Sequence, residues 1–261
     1  MKTTPGEVYL NRCSAIPGDA KTPSQPNLKS TIMHTNPCQP AGELNQGVRI
    51  SADGVYLLAD LQVPEEAPAL VIFAHNGRCR NHPRNGHIAR VIRNMGLGTL
   101  LCDLLTEEEM SDDDETARYR EDANLLAKRL IAVTKWAGNE PVTKNLLIGY
   151  YGASAGGSAA LIAAARMGNK VGAVVARSGC PCLMAQTAPF VTCPTLLIVG
   201  ENDAGGLELS RRALPLLKGK KELRIVPGAS HLFDEPGTMV QMADLSADWL
   251  HHHLGNLVYC A

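Results

Sequence analysis

Residues 146–165 read LLIGYYGASAGGSAALIAAA, and this stretch constrains the fold more than any other. Its first part is a short apolar run with two tyrosines, as a buried strand needs. Its second part, 155–167, is rich in Ala with Leu161 and Ile162, and favours a helix. Between them lies Gly152-Ala153-Ser154-Ala155-Gly156, a Gly-x-Ser-x-Gly box. A strand that passes straight into a helix must bend sharply, and bulky neighbours at the bend would strike both elements. Gly152 and Gly156 leave room for it. Such a turn lifts the Ser154 hydroxyl above the sheet edge, and it sets the Ala155 amide at a helix N-terminus, aimed at a developing oxyanion.

The chain around this junction alternates strand and helix. VRIS and VYLLADLQV flank Asp53-Gly54, which predicts a hairpin. ALVIFAH (69–75) is continuously apolar, as a strand buried on both faces is. Residues 84–95 suit a helix with Ile88, Val91, Ile92 and Met95 on one side, and LGTLLCDLL (97–105) suits the next strand. An acidic run, 107–115, precedes a long amphipathic helix over 116–137, with Leu125, Leu126, Leu130 and Val133 on its apolar side. VGAVVARSG, PTLLIVGEND and KELRIVPG are further strands; 206–218 and 237–254 are helices. This order predicts one α/β domain over 46–261, a mainly parallel sheet covered on both faces and opened by an antiparallel hairpin. Residues 1–45 carry Pro5, Pro17, Pro23, Pro26, Pro37 and Pro40 among polar residues without apolar period, and are expected to be an irregular extension.

Composition narrows the function classes. The 261 residues are 45% hydrophobic and 20% charged, with a formal net charge of -1. That balance offers no basic patch for nucleic acid or for a membrane surface, and no apolar run reaches membrane-spanning length. With no basic-then-apolar leader pattern, the eight cysteines are expected to be reduced thiols of a cytoplasmic protein. Cys180-Pro-Cys182 is not a CxxC pair, so no zinc site is expected; nor is any cofactor.

A serine hydroxyl needs a base, and the base needs an orienting acid. After a nucleophile elbow the chain order is Ser, then Asp or Glu, then His. LLIVGEND ends a strand at Asp203, and RIVPGASHLF places His231 in the loop beyond another strand. Both lie at carboxyl ends of strands, where open α/β sheets build their sites. Glu201 is a rival acid; Asp203 is preferred because it sits farther past its strand. A second oxyanion donor should follow VIFAH, at the amide of Asn76 or Gly77. His75 is read as a structural residue that fixes this loop.

Taken together, VIFAHNGRCRNHPRN, LLCDLLTEEE, GYYGASAGGSAA, LLIVGENDAGGLELSRRAL and VPGASHLFDEPG occur in this order over about residues 47–254. The chain resembles the serine-nucleophile members of the dienelactone hydrolase-like family of α/β-hydrolases. The resemblance implies an α/β-hydrolase fold of about eight strands, helices on both faces, and ester-type hydrolysis. It assigns Ser154 as nucleophile, Asp203 as acid and His231 as base. Two departures stand out. The dienelactone hydrolases proper carry a cysteine nucleophile where this chain has Ser154. Serine members follow His-Gly with small residues, whereas here the segment is His75-Asn76-Gly77-Arg78-Cys79-Arg80.

The expected activity is therefore cleavage of a small carboxylic ester or thioester through an acyl-enzyme. The rivals are a non-catalytic ligand-binding or regulatory protein on the same fold, and an acyltransferase. Arg78 and Arg80 are candidate substrate-binding groups. For Arg80, Arg84 and Asn85 the simpler expectation is bracing of their loop against Glu107, Glu108 and Glu109. The acidic run itself is read as solvated. His251, His252 and His253 point different ways on a helix, which suits a charge role at its C-terminus better than a metal site. Cys180 and Cys182 are taken as inert thiols near a strand end.

Overall fold

The structure, a computed structural model, describes residues 43–75, 77–179 and 184–255. The proposed extension therefore lies outside the described residues up to position 42, as do Asn76, Cys180 and Cys182. Strand β1 begins at Glu43, inside the segment expected to be irregular, and runs to Ala52. Asp53 and Gly54, both at positive φ, turn it back into β2 (Val55–Pro64). The hairpin register pairs Ala52 with Val55 and Glu43 with Pro64.

Six more strands follow: β3 (Ala69–His75), β4 (Gly98–Asp103), β5 (Leu147–Ala153), β6 (Val171–Arg177), β7 (Thr195–Gly200) and β8 (Lys221–Val226). They form one eight-stranded sheet in the order β1-β2-β4-β3-β5-β6-β7-β8. The first two strands join antiparallel, and every pairing from β4 to β8 is parallel. This is the α/β-hydrolase architecture.

Successive side chains of a strand face opposite sides, and β3 shows the consequence. Leu70, Ile72 and Ala74 enter one core layer; Ala69, Val71 and Phe73 enter the other. The first layer is closed by α3 (Ala123–Ala137) and α4 (Ala155–Met167) through Leu126, Leu130, Val133, Ala160 and Ala163. The second is closed by α1 (Pro83–Asn94) and by α6 (Thr238–Leu250), through Ile88, Ile92, Met242 and Leu250. Each of the larger of these side chains, the Leu, Ile, Val and Met, contributes roughly 1.5–3 kcal/mol when fully buried. Cys79, Cys102 and Cys193 are free and buried, and burial pushes their thiols up, Cys193 to about 11. Among the described residues no helix is long and apolar enough to cross a membrane.

Three elements depart from expectation. The helix expected over 116–137 starts only at Ala123, and the acidic run before it forms a helix of its own. Helix α2 (Glu107–Thr116) stops at Ala117, which is left-handed at φ 52, and α3 restarts after the Asp122 cap. Asp113 causes the break: it is buried, and its carboxylate accepts from the amides of Tyr119 (2.6 Å) and Arg120 (3.0 Å). The acidic run is thus only partly solvated, since Glu109 also pairs with the buried Arg129. Helix α5 spans Ala204–Ala213 and gives way to a 3₁₀ turn at Leu214–Leu216, because Pro215 cannot continue the helix. The last helix widens into a π turn at His251–Gly255. There His253 packs on Trp249, ring centroids 4.4 Å apart, and burial lowers its pKa to about 4; it stays neutral and carries no end-of-helix charge.

Candidate active site

The glycine box is the junction of β5 and α4. Ser154 takes φ 50 and ψ -123, a conformation that costs an L residue about 1–3 kcal/mol. The glycines permit the close approach. A Cβ on Gly152 would lie 2.7 Å from Gly156 C and 2.8 Å from Gly157 Cα, and one on Gly156 would overlap the Ala74 carbonyl. The elbow therefore presses against the end of β3, the strand that leads to Asn76 and Gly77. Ser154 N donates to Arg177 O (2.9 Å), which fixes the turn to β6. Ala155 opens α4, so its N–H is among those that the helix leaves without an internal acceptor.

Asp203 caps α5: its Oδ1 accepts from Gly206 N at 3.0 Å. Its Oδ2 lies 2.8 Å from His231 Nδ1, and His231 Nε2 lies 3.1 Å from Ser154 Oγ. With Nδ1–H donated to the carboxylate, Nε2 is the free lone pair that faces the serine hydroxyl. Glu201, the rival acid, turns away and accepts from Gly228 N at 2.8 Å. The structure thus brings Ser154, His231 and Asp203 into one chain of contacts, although 77 and 28 residues separate the bonded pairs.

The loop that carries His231 is strapped on several sides. Asn202 Nδ2 donates to Gly228 O, and Ser230 N donates to Glu235 Oε2. Arg84 donates to Leu232 O (2.9 Å) and ion-pairs with Asp234; Arg177 donates to His231 O (2.9 Å). Arg177 was not singled out from the sequence; its one signal there is a lone cation that closes the apolar run VGAVVA.

The loop after β3 is also held by charge. Arg80 Nε binds Asp103 Oδ2 at 2.9 Å, and its NH1 reaches Asp60 Oδ1 at 3.3 Å. Burial raises the Asp60 pKa, Arg80 pulls it back, and Asp103 adds to the rise. Arg80 thus braces the loop, with partners other than the acidic run. Arg84 goes to Asp234, and Asn85 donates to Cys79 O (3.3 Å). Arg78 does reach the acidic run, at Glu107 (3.1 Å), as an exposed pair. His75 Nδ1 is buried without a well-formed hydrogen bond, and its polar neighbour is the backbone of Gly77, in the loop that His75 was read to fix. Its ring lies 5.5 Å from that of His82, and burial first, then His82 and Arg177, lowers its pKa to about 4.

A dienelactone hydrolase from Anabaena variabilis superposes with a TM-score of 0.78 and 44% identity, over 82% of this chain and 99% of that one. The chain belongs to the dienelactone hydrolase-like α/β-hydrolases. A cold-adapted esterase from an Arctic intertidal metagenomic library shares the fold at 18% identity, with a TM-score of 0.65 over 85% of this chain and all of that one. A Mycobacterium tuberculosis protein named "Putative phosphoribosyl transferase" is 45% identical over 211 residues, 80% of this chain. Those residues are 47% of that protein, so the chain spans about half the length of the curated relatives it matches. No family model matches the chain. Within the dienelactone hydrolase-like family, this member has a serine at the elbow.

Proposed function

We propose that the chain is a serine hydrolase that cleaves a small carboxylic ester or thioester through an acyl-enzyme. One observation carries the reading: Ser154 Oγ, His231 and Asp203 stand in hydrogen-bond succession at 3.1 and 2.8 Å, next to a helix N-terminus. Ser154 attacks the substrate carbonyl while His231 Nε2 takes its proton. Asp203 keeps the imidazole in the tautomer that can do so and stabilises the imidazolium that forms. The amide of Ala155, with a second from Asn76 or Gly77, binds the tetrahedral oxyanion. His231 then returns its proton to the leaving alkoxide or thiolate. In the second half-reaction His231 deprotonates a water, which attacks the acyl carbonyl, and Ser154 leaves with the proton.

A panel of short-chain p-nitrophenyl esters and acyl thioesters tests this reading. The wild type should turn over at least one of them, and Ser154→Ala should lower kcat by at least about 10³-fold. Equal turnover by the two proteins would place the chemistry elsewhere. Nothing in a Ser–His–Asp succession calls for a phosphoribosyl group, so a phosphoribosyl donor with common nucleophilic acceptors should give no transfer.

A further inference from the structure

We infer that Arg177 is a positioning residue that holds the base and the nucleophile to one common reference. The inference rests on the hydrolase reading above, for which it names a residue beyond the three in the contact chain. Arg177 is the last residue of β6, paired in register with Ala153 of β5 and Ile198 of β7. Its backbone is therefore set by the sheet.

Two contacts leave Arg177 in different directions. Its main-chain oxygen accepts from Ser154 N at 2.9 Å, which pins the strained elbow. Its guanidinium donates through NH1 to His231 O, also at 2.9 Å. Both partners of the 3.1 Å Ser154–His231 contact are thus referenced to a single residue of the sheet.

His231 needs such a reference. Its side chain is 47% exposed, and it sits on a loop with no ladder of its own. The next residues show how the guanidinium shapes that loop. Phe233 takes φ 57, is 1% exposed and lies under Arg177, whose Cζ is 5.3 Å from the ring centroid. A planar cation suits this place, because its edge donates to a carbonyl while its face covers an aromatic ring. Lysine could reproduce one donor but not the face.

The test uses the full chain and three readouts: fluorophosphonate labelling of Ser154, kcat and KM on a p-nitrophenyl ester, and the imidazole ¹⁵N shifts of labelled His231. Arg177→Met should label about 10- to 100-fold more slowly, the scale of a displacement of about 1 Å. Its kcat should fall with KM little changed, and the His231 shifts should move from the Nδ1–H form toward the mixture of free imidazole. Arg177→Lys should fall in between and carries the test alone if the Met variant does not fold. Labelling within about twofold of wild type, with unchanged shifts, in whichever variant folds would overturn the inference. A wild type that resists labelling while its His231 is Nδ1–H would refute the hydrolase reading, and the nitrogen shifts would still decide the role of Arg177.

Discussion

Gly156→Ala tests whether the elbow is set by contact with β3. A Cβ at this position would lie 2.7 Å from Ala74 C and overlap Ala74 O. Ordinary contact begins near 3.4 Å, and the carbonyl oxygen is the nearer obstacle, so α4 and the end of β3 must separate by more than about 1 Å. Both obstructing atoms belong to backbone, so no side-chain rotation relieves the clash. Overpacking of this kind costs about 1–3 kcal/mol. Against it stands the helix preference for Ala over Gly, at most about 1 kcal/mol, and less in the first turn of α4. The clash wins, with a net loss of about 1–2 kcal/mol, or about 2–8 °C in Tm for a chain of this size. The displaced segment leads to the proposed second oxyanion donor, so labelling of Ser154 by a fluorophosphonate should slow by more than the small unfolded fraction explains, about 10-fold or more. Calorimetry and intact-mass labelling measure the two effects. A variant that melts with the wild type and reacts at its rate would show that the glycine box does not set the elbow.

Further substitutions separate neighbouring roles. Asp203→Asn should lower kcat by about 10³- to 10⁴-fold, because the amide no longer holds the Nδ1–H tautomer; Glu201→Gln, which loses only a loop contact at Gly228, should stay within about threefold. His75 should make the fold acid-sensitive. The unfolded chain takes up this proton near 6.5, whereas the buried imidazole resists until about 4, so stability present above pH 6.5 is lost as pH falls from there toward 4. The loss is at most about 3 kcal/mol. Urea midpoints at pH 7.5 and 4.5 should therefore differ less in His75→Gln than in wild type, and equal slopes would remove His75 as a cause. Asp113→Ala strips the acceptor from the amides of Tyr119 and Arg120 and should cost about 2–4 kcal/mol. An unfolding free energy from urea titration that changes by less than about 0.5 kcal/mol would show that water replaces that carboxylate.

Much of the site could be read from the chain because its signals are local. Ser154 lies in a pattern that suits a tight strand-to-helix turn, given the apolar run before it and the small-residue run after it, and Asp203 and His231 follow apolar strands whose ends define one edge of the sheet. What escaped depends on contacts between distant segments. Asp113 looks like one acid among many in 107–115; only the folded chain turns its carboxylate inward to end a helix. Arg80 meets Asp60 and Asp103 because β2 and β4 are neighbours, with Asp60 opposite Leu101, and periodicity does not state which strands adjoin. Arg177 escaped for the same reason. Its partner carbonyl lies 54 residues away, on a loop whose path is set by the sheet order.

The most direct measurement is the intact mass of the chain after exposure to a fluorophosphonate, followed by peptide mapping. The account predicts one adduct, on the peptide that contains Ser154, lost in Ser154→Ala and much slowed in His231→Ala. No adduct on a folded wild type, or an adduct that survives Ser154→Ala, would contradict it.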